Sequence, residues 1–282
     1  MTHSPAGSPL RVGLLASSPA VLRALHEICR RAGYAPLVHA THPPRPAGGA
    51  WDDRLNEIRR HAPASAPIIA PSDRLAARIA PLRLDVLLCH GHLDPLPPGV
   101  PASTVHGVVN LHPGDLPPRP GIGAVASALL RGDPTIRATA HLVTAAPTPG
   151  PILARSEPVE LPDWFDPRLL RREITTATLH LAPRALDVLA TAAPVDDRDE
   201  AATTTGTPAR GLCLLDLARG ARDIHHQARM LHYLDWPALA NLDDGAVRVF
   251  RTRLTPGAIR IPCATGRLWA DQVIPLDPRP RR

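Results

Sequence analysis

Short apolar runs alternate with stretches of helical spacing over most of the chain, and that alternation limits the fold more than any other feature. Arg11-Val-Gly-Leu-Leu-Ala16 ends at Ser17-Ser-Pro19 and predicts a first buried strand. From Ala20 to Ala32, Val21, Leu25 and Ile28 share one helical face, with Gly33 as the stop signal. A second strand is expected over Ala35 to Ala40, a helix near Asp52 to His61 and a short strand over Pro67 to Ala70. Asp73 to Ala80 reads as helix, Asp85 to Cys89 as strand, Val108 to His112 as strand and Gly123 to Arg131 as helix. A pair of strands follows, Ala138 to Val143 and Ile152 to Leu161. Arg168 to Ala190 is a long helical stretch that Pro183 must kink or divide. Strands separated by helices require crossovers, so the expected class is α/β with a doubly wound, mostly parallel sheet.

The pattern changes near residue 193. Ala193 to Pro208 is rich in Asp, Thr and Pro and lacks apolar periodicity, as a linker does. The division expected is a first domain over 1–192, a linker over 193–209 and a small domain over 210–282. In the last, a helix (Ala221 to Leu231) precedes the short runs Ala246 to Arg251, Ala258 to Pro262 and Leu268 to Ile274. These suit a small barrel or sheet, with Trp236 and Trp269 in its core. His225 and His226 read as a polar cap region of the helix.

Composition removes several classes of function. All 32 basic residues are Arg, so Schiff-base chemistry and a lysine-dependent P-loop are excluded. The net charge is +6, yet Arg alternates with Asp and no basic run exceeds two residues, the pattern of solvated surface charge. Cys29, Cys89, Cys213 and Cys263 stand singly, so buried thiols are expected rather than disulfides or a metal site. Gly13 stands alone after the first strand, without the glycine fingerprint of a dinucleotide site. No apolar run is long enough to span a bilayer. Met1 to Pro9 offers no charged stretch leading into a cleavable apolar segment, and a cytoplasmic location is expected.

The chemistry points to one strand end. Asn is rare here, and Asn110 lies two residues before His112. Positions i and i+2 of a strand share a face, so an amide and an imidazole emerge together near the carboxyl end of a central strand. Ligands of open parallel sheets bind there. A satisfied strand-end histidine is an equally good reading of these residues taken alone.

The longer segment Asn110-Leu-His-Pro-Gly-Asp-Leu-Pro-Pro-Arg-Pro-Gly121 resembles the N-x-H-P-S-L-L-P-x-x-R-G stretch of the folate-dependent formyltransferases. Gly132-Asp133, Thr139-Ala-His-Leu-Val143 and Gly150-Pro-Ile-Leu153 follow at similar spacing. Pro44-Arg-Pro-Ala-Gly48, Asp223-Ile-His-His-Gln-Ala-Arg229 and Trp236-Pro-Ala238 are similar to segments of the methionyl-tRNA formyltransferases. The resemblance implies a Rossmann-like catalytic domain and a small OB-like C-terminal domain. It implies 10-formyltetrahydrofolate, or another reduced folate, as formyl donor and an amine as acceptor. Asn110 then donates to the oxyanion formed on amine attack, and His112 shares that work and moves the amine proton. The folate-contact positions fall on Cys89, His90, Gly91, His92 and Leu93, and on Thr144, Ala145, Ala146 and Pro147. His90, His92 and His112 have a spacing open to a metal, but pocket lining is the expectation and no metal is assigned.

One group of the family does not carry over. Counting from His141, the family's catalytic Asp falls on Thr148, and Pro134 to Ser156 contains no Asp or Glu. A hydroxyl orients an imidazole but does not stabilise an imidazolium as a carboxylate does. Asp115, three residues past His112, is the candidate replacement acid. Altered folate chemistry, such as hydrolysis of the formyl donor, and a non-catalytic folate- or substrate-binding protein remain the alternatives. The family's Arg before Gly121 is Pro120, and the basic loop of the tRNA enzymes is here Gly49-Ala-Trp-Asp-Asp53. tRNA is therefore not the expected partner. A small-molecule amine from biosynthesis, as in the sugar N-formyltransferases, fits better. No membrane partner is expected, and a homo-dimer is the expected form of any self-assembly.

Overall fold

The computed structural model describes residues 10–16, 18–41, 68–69, 75–91, 96–97, 99–117, 121, 123–144, 149–191 and 210–276. The chain groups into two compact units. The first is Met1–Pro120 with Arg137–Glu157 and Ile174–Thr203; the second is Gly121–Ile136 with Pro158–Glu173 and Thr204–Arg282. The expected helix near 52–61 and most of the expected linker lie outside the described residues.

Parallel strands β1 (Val12–Ala16), β2 (Val38–Thr41), β3 (Ile68–Ile69), β4 (Val86–His90) and β5 (Val108–His112) build most of the first unit's sheet. After β6 (Thr135–Ile136), antiparallel strands β7 (Thr139–Leu142) and β8 (Ile152–Arg155) complete it in the order β3-β2-β1-β4-β5-β7-β8. The chain leaves β1 toward β2 and β3, then returns to β4 on the other side of β1. That reversal makes a doubly wound sheet whose ligand side is the carboxyl ends of its central strands.

The described helices are α1 (Pro19–Arg31), α2 (Leu75–Ile79), α3 (Gly99–Ala102), α4 (Ala124–Arg131), α5 (Pro167–Leu179), α6 (Leu181–Thr191) and α7 (Ala221–Tyr233). Every residue of β1 and β4 is buried because both faces of the sheet are covered. Val12, Leu14, Val86, Leu88, Val109 and Leu111 pack against α1 and α6. Their sequence neighbours Leu15, Leu87, Cys89 and Val108 pack against Leu75, Ile79 and Val100 on the opposite side. Burial of each such Leu or Val side chain contributes about 1.5–3 kcal/mol. The lone Gly13 is a packing residue: a Cβ there would lie 2.6 Å from Leu84 Cδ1 and 2.9 Å from Leu87 Cδ1.

Helix α1 ends as expected at Gly33, whose φ is 88°. Gly33 N–H donates to Arg30 O at 3.1 Å and Tyr34 N–H to Cys29 O at 2.9 Å, the paired bonds of a Schellman end. Its inner face is rotated from the expected one. Leu22, Leu25 and Cys29 are fully buried, while Val21 and Ile28 sit at the margin. The helical stretch after residue 167 divides earlier than Pro183 itself. Proline removes its own N–H and collides with the carbonyl four residues back, which here belongs to Leu179, the last residue of α5. Pro183 then occupies the first turn of α6, where it is tolerated. The run from Ile152 to Leu161 is likewise split. Ser156 Oγ accepts from Ala138 N–H and donates to Glu157 O, and Pro158 has no N–H to continue a ladder. The chain resumes as β9 (Val159–Glu160), which pairs with β6 in the second unit.

In the second unit β10 (Ala238–Leu242), β11 (Gly245–Arg253), β12 (Ile259–Ile261) and β13 (Leu268–Pro275) form an antiparallel sheet in the order β10-β11-β13-β12. Helix α7 contributes Ile224, Met230 and Leu231 to its core. Three expectations need correction here. Trp236 and Trp269 are half-buried, since their large rings also line surface. Cys213 and Cys263 are half-buried, and only Cys29 and Cys89 are buried thiols. His225 is no helix cap: it is the fifth residue of α7, 1% exposed, with Nδ1 2.9 Å from Thr252 Oγ1. Among the described residues, no helix is long and apolar enough to cross a membrane.

Candidate functional site

Asn110 is the third residue of β5, and its register neighbours are Cys89 on β4 and His141 on β7. His112 closes β5 opposite Thr139. Two hydrogen bonds determine the state of His141. Its Nδ1 lies 2.9 Å from Leu142 O, which only accepts, so Nδ1 carries the proton. Nε2 is then a lone pair, and it accepts from Asn110 Nδ2 at 3.1 Å. With Asn110 Nδ2 facing Nε2, the pair corresponds to neutral imidazole. Burial holds the His141 pKa down to about 4, with the nearby His112 acting in the same direction and the bond to Leu142 opposing. One Asn110 N–H is thus committed to His141, and the amide plane is set. The group has a second N–H and a carbonyl oxygen to offer.

The His112 ring, 6% exposed, stands edge-on to His141 with centroids 6.4 Å apart and planes at 85°. Beside them His90 Nδ1 donates to Leu111 O at 2.8 Å, and burial lowers its pKa. The loop after His112 is stitched to β7. Thr139 Oγ1 donates to Gly114 O at 2.8 Å and accepts from Leu116 N–H at 3.3 Å. Asp115 Oδ2 accepts from Arg137 N–H at 3.4 Å. An amide and an imidazole on one strand face, fixed by neutral neighbours, can donate to a carbonyl oxygen and take up a proton at adjacent points.

The structure therefore groups Asn110 and His112 with Cys89, and places His90 and Gly91 at the end of β4. Thr144 follows β7 two residues after Leu142. His92, Leu93, Ala145, Ala146, Pro147 and Thr148 lie outside the described residues. Sequence reasoning used His141 only as a marker of spacing and missed its contact with Asn110. The signal was present: in Thr139-Ala-His-Leu142 the two polar residues alternate with apolar ones, so both project from the face that carries Asn110 and His112.

Acid should weaken this arrangement. The folded His141 titrates near 4, below the ordinary value of 6.5, so the unfolded chain takes up the proton first. Its contribution is complete above about 6.5 and is lost as the pH falls toward 4, with a full size on the order of 3 kcal/mol. His90 has the same sign, so the diagnostic quantity is the difference between proteins. His141→Gln keeps an acceptor for Asn110 and should show a shallower loss of stability between pH 6.5 and 4 in denaturant melts. Identical slopes for the two proteins would refute the assignment.

A doubly wound sheet bearing an amide–imidazole pair at its carboxyl edge defines a class of α/β protein, and comparison with known proteins narrows it. No protein-family profile matches the chain. A methionyl-tRNA formyltransferase from Roseiflexus sp. (strain RS-1) is 29% identical over 245 residues, covering 84% of this chain and 74% of that protein. The crystal structure of a likely sugar N-formyltransferase from Mycobacterium tuberculosis superposes with a TM-score of 0.61 at 17% identity, covering 85% of this chain and 96% of the other. HypX from Aquifex aeolicus, in complex with tetrahydrofolic acid, superposes with a TM-score of 0.61 at 13% identity over 96% of this chain and 45% of its own. The chain is thus similar to methionyl-tRNA formyltransferases in sequence and to N-formyltransferases in fold.

Proposed function

We propose that the protein transfers a formyl group from 10-formyltetrahydrofolate to the amine of a small-molecule acceptor. The observation that carries this reading is the Asn110–His141 hydrogen bond, which fixes an amide beside His112 at the carboxyl end of β5. Asn110 would donate to the formyl oxygen as negative charge builds on it. His112 would take the proton released when the acceptor nitrogen bonds the formyl carbon, and return it to the donor nitrogen as the old C–N bond breaks. The formyl donor is supported by the sequence relatives and by the tetrahydrofolate complex of HypX. Cys89, His90, Gly91 and Thr144 would stand along it; the buried Cys89 and the neutral His90 suit an uncharged ring better than a phosphate.

The acceptor divides the relatives. The sequence relatives carry tRNA in their names and a structural neighbour carries a sugar. The small amine is favoured because Gly49 to Asp53 lacks the basic residues that phosphate-backbone binding needs. A second reading, hydrolysis of the formyl donor, rests on the absence of any carboxylate between Pro134 and Ser156.

Calorimetric titration with a stable 10-formyl analogue should give saturable binding, and release of deformylated folate should depend on added amino sugar or amino acid. No binding at millimolar analogue would remove the folate. Amine-independent release would favour hydrolysis. Retardation of tRNA at physiological salt, with a steep salt slope, would overturn the small-amine assignment.

A further inference from the structure

A cavity is built wholly from residues of the second unit. Its volume is about 150 Å³. A cavity of about this size accommodates one benzene ring. Its walls are aromatic: Trp164, Phe165, Trp236 and Phe250 line it. Trp164 is 52% exposed, a large apolar ring lining the cavity and open to solvent.

The charge in this cavity is cationic. Arg229 is 6% exposed, and its Nη2 donates to Leu161 O at 2.6 Å and Pro162 O at 2.9 Å. Its Nε is buried with no hydrogen-bond partner, and the carboxylate that acts electrostatically on its guanidinium is the exposed Asp163. A buried cation bonded only to carbonyls is costly unless an anion joins it. Arg248 adds a second cation over the Phe250 ring at 4.8 Å, also without an ion-pair partner among the described residues. Arg251 stacks on Trp164 at 4.2 Å and pairs with Asp271 at 3.3 Å. Its backbone is left-handed at φ 49°, a conformation that costs a non-glycine residue and gathers at binding sites. Asp163 is the one carboxylate lining the cavity; it is 83% exposed, and solvent screens it.

Size, walls and charge together describe the complement. We propose that this cavity binds a single-ring aromatic acid, with the ring between Trp164, Phe165 and Phe250 and its oxyanion taken by Arg229 and Arg248. The site stands whether or not formyl transfer occurs.

Calorimetry on the full chain with benzoate and phenyl phosphate tests it, and the two arms distinguish a carboxylate from a phosphoryl group. One of the two should saturate with one-to-one stoichiometry. Benzyl alcohol, which lacks the charge, and inorganic phosphate, which lacks the ring, should bind at least about tenfold more weakly. Arg248→Ala and Trp164→Ala alter exposed side chains, so the fold should survive, and each should weaken the acid about tenfold or more. Failure of both acids to saturate by about 10 mM, equal binding of benzyl alcohol, or unchanged affinity in Arg248→Ala would overturn the proposal.

Discussion

Asn110→Ala should lower formyl transfer by about 10²–10³-fold, the usual loss for one oxyanion donor. The fold should survive, because Asn110 is half-buried and its one described side-chain bond goes to His141. The leftover cost is the unpaired Nε2 of His141, about 1–3 kcal/mol if no water reaches it. His112→Ala should be comparable or worse, since the proposed proton shuttle would go with the imidazole. The double variant should lose less than the product of the two, because in the proposed reaction both groups serve one transition state. His141→Gln separates positioning from chemistry. It retains an acceptor for Asn110 and should keep most of the rate, whereas His141→Leu should reproduce part of the Asn110→Ala loss without touching the reacting atoms. Steady-state rates beside thermal melts decide the matter. Full activity in either alanine variant would place the chemistry elsewhere.

The sheet was legible because its strands announce themselves twice, by apolar runs and by the helical spacing between them. β1, β4 and β5 lie within a residue of their expected limits, since strands buried on both faces leave no ambiguity about where polarity resumes. The face of α1 was less legible. Val21, Leu25 and Ile28 satisfy helical spacing, but so do Leu22, Leu25 and Cys29, and only packing against β1 and β4 chooses between them. β10 was missed because Ala238 and Ala240 are small and Pro237 precedes them, so its alternation is faint. The cue was the turn: Leu242 pairs with Gly245 across Asp243-Asp244, a two-residue hairpin ending in a glycine at φ 118°. β6 and β9 have two residues each and are defined only by their mutual pairing, which no local signal carries.

The site was legible along the chain and illegible across it. Asn110 and His112 share one strand, so the two-residue period was enough to bring them together. His141 reaches them from a strand that runs the other way, and its contact depends on a register that the loop between β5 and β7 establishes. Thr139 ties that loop down through Gly114 and Leu116, which makes it a residue of the site's support rather than of its chemistry. In the second unit, His225 was misread for the same reason. The polarity of a His-His pair suggests a solvated helix end, whereas its position on the inner face of α7 is decided by Thr252 on β11.

Restoring a carboxylate at Thr148 should raise the rate if the scaffold transfers formyl groups with a weakened His112. A carboxylate beside an imidazole raises its pKa and stabilises the protonated form that exists while the amine proton is in transit. General acid–base work of this kind is worth about 10²–10⁴-fold, so a site that lacks its acid leaves much to recover. Pro147 and Pro149 flank the position in sequence, and the gain requires that the new side chain be aimed at His112. Asp115 supplies the opposing test. Its Oδ2 accepts from Arg137 N–H, a bond that an amide oxygen at the same position would also make, so Asp115→Asn removes the charge and keeps the structural contact. If Asp115 is the acid, Asp115→Asn should be severely damaging and Thr148→Asp should do little. If it only ties the loop to Arg137, Asp115→Asn should melt within about 1 kcal/mol of the parent and turn over at its rate, while Thr148→Asp should accelerate transfer and shift the pH profile upward. If neither substitution yields detectable transfer, the scaffold performs other chemistry; unaltered activity in both would refute any acid at either place. Rates for the two variants across pH 5 to 9 separate these outcomes, because only a carboxylate that faces His112 would move a limb of the profile set by that imidazole.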